Sequence, residues 1–247
     1  MSLSTADCLS AITSHSAGLA AAAEGDLDAA VRHCPGWSVA DLVAHVSDVH
    51  WFWATIAAGR LAAPPDESSR PARAPRKLLI ATLRDGADHL ASVLRAADQR
   101  DRVWTWAPAQ QDVAFITRHQ VQEAAVHHWD AVDAAGGALA IEAPVAADSV
   151  EEFLTFSVSS DADPAEPARP ALAGSFALRC TDADAAWTVR DGGQAGTIRL
   201  ERGAGDSLLA VTGTASDLLL WLYGRVSLDS AVPPALLQRF RALTISD

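Results

Sequence analysis

The apolar residues in the first half of the chain recur with helical period in one long stretch after another. No other feature of the sequence restricts the fold so much. Residues 4–23 read as an Ala-rich first helix. The second helix has a sharp start in CPGWSVADL: Pro35-Gly36 breaks the chain, Ser38 caps, and Asp41 stands three residues on as the partner of a capping box. Trp37 and Leu42 then fall where a hydrophobic staple would be. Leu42, Val46, Val49, Trp53 and Ile56 make an apolar stripe that runs to about Ala58. The Pro-rich segment LAAPPDESSRPARAP, 61–75, is a loop. A third helix is expected over 76–98, with Leu79, Leu83, Leu90 and Leu94 among its apolar positions, and a fourth over 112–135. Helices of this length joined by loops imply a four-helix bundle over residues 1–137.

Gly136-Gly137 closes that half. From residue 144 to 247 the pattern changes to α+β. A short helix at 148–157 is followed by a Pro-rich loop, DADPAEPARP. Four strand-like segments come next: ALAGSFALRCT, AAWTVRD, GTIRLER and SLLAVTG. Their alternation and their Gly and Asp breaks imply a mainly antiparallel sheet. Two helices end the chain, TASDLLLWLYGRV at 214–226 and PPALLQRFRAL at 233–243.

The formal net charge is −12, a field that repels phosphate backbones, so nucleic acid is not an expected partner. No apolar run approaches the roughly 18 residues of a membrane span, and the N-terminus lacks the basic and apolar regions of a signal peptide. Cys8, Cys34 and Cys180 are odd in number and widely spaced. They are expected as unbridged thiols of a cytoplasmic protein, monomeric or homodimeric. Ser-His-Asp patterns, Gly-rich phosphate loops and CxxC are absent from the sequence, so an attacking thiol would have to come from outside.

The chemistry concentrates in EAAVHHWD. Glu123 and His127 are one turn apart and project from the same helix face. Alone, such a pair is a common solvated stripe. Bundles, however, build metal sites from carboxylates and imidazoles on facing helices. A third ligand must come from elsewhere, and His15, His33, His45, His50, His89 and His119 are candidates. His45 stands out because it lies between Leu42 and Val49 and so points inward. A buried imidazole alone is more often bonded to a carbonyl, but beside Glu123 and His127 it would complete a zinc set of the open, catalytic type. His119, four residues before Glu123, offers a local His-Glu-His alternative. Asp130 is placed to accept the second ring N–H of His127, or is an ordinary surface carboxylate. His128 is rotated about 100° from His127 and is exposed or a helix contact. Arg225 either complements the end of its helix or grips a substrate carboxylate.

CPGWSVADLVAHVSDVHWFW, RHQVQEAAVHHWDA and GTASDLLLWLYGR together resemble the mycothiol-dependent maleylpyruvate isomerase family over nearly the whole chain. The resemblance implies a DinB-like metal-binding bundle followed by a smaller, sterol-carrier-like domain. It implies zinc, or another divalent metal, on His45, Glu123 and His127, mycothiol as thiol cosubstrate, and Arg225 in catalysis. The implied reaction is addition of a metal-activated thiolate to a small electrophile. That addition serves cis-trans isomerisation of a maleylpyruvate-like diacid, or S-transfer. A non-catalytic protein holding an apolar ligand in the second domain is the alternative from another class.

Overall fold

Each helical period of the first half becomes one helix in a computed structural model of the chain, which describes residues 2–158, 169–205 and 209–244. The chain divides into two compact units, Ser2–Ile141 and Glu142–Asp247.

In the first unit α1 is Thr5–Ala23, α2 is Val39–Gly59, α3 is Leu79–Ala96 and α4 is Val113–Ala134. Helix α1 packs on α4 and α3, and α2 packs on α3 and α4. Leu19, Leu42, Val46 and Leu83 share one fully buried cluster, so one stripe from each of the first three helices meets in a single core. The predicted stripe of α2 is corrected at one place. Leu42, Val46, Trp53 and Ile56 are buried, but Val49 is not, and the core position between Val46 and Trp53 belongs to His50. The period of 3.6 residues passes between 49 and 50, and apolarity alone favoured the valine.

The second unit opens with α5, Ala143–Phe156, which starts earlier than its sequence suggested. Pro144 lies within its first turn, where the missing N–H has no intrahelical partner to lose. Strands β1 Ser175–Cys180, β2 Ala186–Asp191, β3 Ile198–Arg202 and β4 Ala210–Gly213 form one sheet in the order β3-β2-β1-β4. The pairs β1–β2 and β2–β3 are antiparallel, while β4 lies parallel to β1, with Leu178 opposite Val211. Helices α6, Ala215–Leu222, and α7, Pro234–Arg241, complete the unit. Phe176, Trp221 and Phe240 make its aromatic core: Phe240 meets Phe176 edge-on at 5.2 Å and stacks on Trp221 at 6.2 Å. Most of the Pro-rich loop expected at 161–170, and Ser207 and Leu208 of the last strand-like segment, lie outside the described residues.

Candidate metal centre

The approach to α2 is fixed by local bonds. Gly36 takes a left-handed conformation, φ 86°, which lets the turn from Val31 to Trp37 close through Val31 N–H to Trp37 O and Trp37 N–H to Cys34 O. Ser38 then caps: its hydroxyl accepts from the Asp41 N–H, and Asp41 accepts from the Ser38 N–H and hydroxyl. Those bonds, the side-chain one foremost, hold the Asp41 carboxyl down at about 2. With the first turn so anchored, His45 emerges two turns into α2. The Trp37 indole packs against the core cluster, as a staple does, and its ring lies 4.9 Å from the imidazole of His45.

On α4 the spacing does what the sequence implied. His127 Nε2 lies 3.3 Å from Glu123 Oε1, and His45 Nε2 reaches the same oxygen at 3.2 Å. The two imidazoles stand nearly perpendicular, with centroids 5.1 Å apart. One donor atom from each residue falls within 4.8 Å of the others. An ion bound tetrahedrally at normal zinc distances puts nitrogen and oxygen ligands about 3.4 Å apart. The two observed nitrogen–oxygen separations therefore fit such an ion with shifts of a tenth or two of an ångström. The donor set, two imidazoles and one carboxylate, also suits zinc. His45 departs from expectation in one respect. Its side chain is 31% exposed, so it sits at the edge of the bundle rather than inside, as an open coordination position requires.

Asp130 is fully buried and meets His127 Nδ1 at 3.0 Å. This bond fixes the ring and leaves Nε2 directed at Glu123. Burial alone would lower the basicity of His127, but the charge of Glu123 and the hydrogen bond to Asp130 override it and raise the imidazole to about 9. Burial would likewise raise the Glu123 carboxyl. The adjacent His127, with His45, instead holds it well below the usual range. Without metal, His127 is thus an imidazolium between two carboxylates.

The remaining histidines are not brought to this point. His119 stacks on Phe115 and meets Gln122 at 3.1 Å, so the local His-Glu-His face does not form. His128 is a helix contact: its Nδ1 lies 3.1 Å from that of His15, over Gly18. His50 is buried at 3.4 Å from the Ser16 hydroxyl, and desolvation lowers it to about 4. His33 lies beside Trp129, and His89 lines a cleft with Trp51 and Asp85. Sequence reasoning missed Cys34, whose Sγ lies 4.0 Å from Asp130 Oδ2. The one available signal was its place in the turn directly before the helix that carries His45.

In the second unit Arg225 follows Gly224, which has φ 72°. Gly224 N–H bonds Trp221 O and Arg225 N–H bonds Leu220 O, the paired bonds of a Schellman cap on α6. The Arg225 guanidinium donates to Tyr223 O at 2.9 Å and lies 5.7 Å from the Tyr223 ring centroid.

Two family models match the chain in succession. The mycothiol maleylpyruvate isomerase N-terminal domain covers residues 9–132, and the C-terminal domain of the same family covers 144–239. The chain belongs to the mycothiol maleylpyruvate isomerase family. Its fold agrees. The crystal structure of a mycothiol-dependent maleylpyruvate isomerase superposes with TM-score 0.61 at 12% identity, over 94% of this chain and 95% of that one. A histidine-to-alanine mutant of that enzyme superposes with TM-score 0.59, at the same identity and coverage. Comparison with curated protein sequences gives no match. No helix among the described residues is long and apolar enough to cross a membrane.

Proposed function

We propose that this member of the family is a zinc- and mycothiol-dependent enzyme, with the ion held by His45, Glu123 and His127. The observation that carries the reading is the convergence of His45 Nε2 and His127 Nε2 on Glu123 Oε1 at 3.2 and 3.3 Å. A zinc ion held by these residues would supply a Lewis acid able to lower the pKa of a thiol.

The chain's own residues do the rest. Glu123 is already ionised and needs no proton removed to act as a ligand. His127 gives up its Nε2 proton and keeps the Nδ1 hydrogen on Asp130, which orients the ring throughout. The exposed edge of His45 leaves an approach for a thiol-bearing cosubstrate. In this reading mycothiol provides the thiolate, which adds to an electrophilic carbon of a small substrate. Rotation about the new single bond and elimination of the thiolate give cis-trans isomerisation of a maleylpyruvate-like diacid. Retention of the new carbon–sulfur bond gives S-transfer instead. The family resemblance assigns Arg225 a substrate carboxylate, or the enolate that addition creates, and its planar fork suits either.

The test is metal content by inductively coupled plasma mass spectrometry, on protein purified without chelator or metal-affinity tag, followed by thiol-dependent turnover of maleylpyruvate and of a chromogenic electrophile. Near one zinc per chain, and turnover lost in Glu123→Ala, support the proposal. A chain that takes no zinc even when zinc is supplied refutes it.

A further inference from the structure

The turn before α2 sets a thiol on the other side of the His127 ring. Cys34 Sγ lies 4.0 Å from Asp130 Oδ2, and that oxygen lies 3.0 Å from His127 Nδ1. These three donor atoms also fall within 4.8 Å of one another, one of two such groups among the described residues. His127 meets Glu123 through Nε2 and Asp130 through Nδ1, so a single imidazole faces both groups.

The donors have the geometry and the chemistry of a metal site. Tetrahedral coordination at zinc distances sets nitrogen and oxygen about 3.4 Å apart, and sulfur and oxygen about 3.6 Å apart. Asp130 would part from the imidazole, and approach the thiol, by about 0.4 Å each. Cys34 is partly buried and in no disulfide, and Asp130 is 1% exposed. A thiolate, an imidazole and a carboxylate favour zinc or cadmium over the hard ions magnesium and calcium.

We propose that Cys34, His127 and Asp130 form a second position for a thiophilic divalent cation, which shares His127 with the first. On binding, the thiol proton and the Nδ1 proton pass to solvent, new bonds form from sulfur, nitrogen and oxygen to the metal, and no group is oxidised or reduced. The ion takes over the bond by which Asp130 orients His127. Metal in excess therefore displaces the His127 ring from its resting geometry. The proposal does not depend on mycothiol chemistry and holds whether or not the first position is filled.

Cadmium chloride titrated into the metal-free full-length chain tests it, because a thiolate–cadmium bond adds an ultraviolet charge-transfer band. The expected result is a saturable band in the wild type that is lost in Cys34→Ser and kept in His45→Ala. Subtracting the Cys34→Ser spectrum removes any contribution of Cys8 and Cys180. Native mass spectrometry should count two cadmium ions per wild-type chain and one per chain of either variant. A wild-type band unchanged by Cys34→Ser, no band at all, or a band lost with His45→Ala overturns the proposal. If Cys34→Ser does not fold, the wild-type count decides, and a single ion without a thiolate band is refutation.

Discussion

On the proposed assignment metal and proton would compete for His127, and the competition can be measured. In the metal-free chain this imidazole lies between Glu123 and Asp130 and titrates at about 9. Coordination through Nε2 must expel one proton at neutral pH. Glu123, held well below its usual range, has none to expel. A group about two units below its pKa gives up its proton at a penalty of about 3 kcal/mol, on the order of a hundredfold in affinity at pH 7. Apparent zinc affinity should therefore rise about tenfold per pH unit from roughly pH 7 to 8.5, then level off. A competition titration against a chromophoric chelator gives the slope. Calorimetry in two buffers of different ionisation enthalpy should count about one proton released per ion. The Cys34→Ser background restricts the reading to the first position. An affinity independent of pH over this range would refute the assignment of His127 as both imidazolium and ligand. Asp130→Asn sharpens the test. It should bring the plateau to lower pH, because the carboxylate that retains the Nδ1 proton is gone, and lower the plateau affinity by about 10- to 100-fold.

Three further perturbations follow from the same geometry. His50 is buried and titrates at about 4 against an ordinary 6.5, so the unfolded chain binds its proton first as pH falls. Stability should drop by up to about 3 kcal/mol between roughly pH 6.5 and 4, and urea midpoints should show that part of the slope missing in His50→Gln. Ser38→Ala removes the cap of α2 and should destabilise the chain by about 1 kcal/mol in urea, with weaker zinc binding because the turn carrying His45 loses its anchor. Gly18→Ala would put a methyl 2.3 Å from the His128 ring. Overpacking of about 1–3 kcal/mol should exceed the gain in helix propensity of about 1 kcal/mol, and thermal melts should show a net loss.

The helical half was legible because its signals are local. Caps, Pro-Gly breaks and a 3.6-residue period act within one or two turns, and the bounds of α1 to α4 follow them closely. The shared face of Glu123 and His127 was legible for a related reason, since residues one turn apart on one helix cannot avoid it, whereas the meeting of His45 with them depends on the packing of α2 against α4. Strand alternation, by contrast, says which side of a sheet a residue faces but not which way its neighbour runs. The parallel pairing of β4 with β1 was therefore hidden. Cys34 was hidden for a different reason. Its approach to Asp130 depends on the turn closed at Gly36 and on the packing of α2 and α4, neither of which has a periodic signature.

His45 and Glu123 stand 78 residues apart in sequence, on two helices that pack side by side. An ion that joins them acts as a removable cross-link over that span, and only the folded chain offers the donors together. Zinc at about a hundred times its dissociation constant would add some 2.7 kcal/mol to a stability that for most domains is only about 5–15 kcal/mol. Metal scarcity would then reach a cell as a shortage of this protein, through turnover of unfolded chains, as much as through idle active sites.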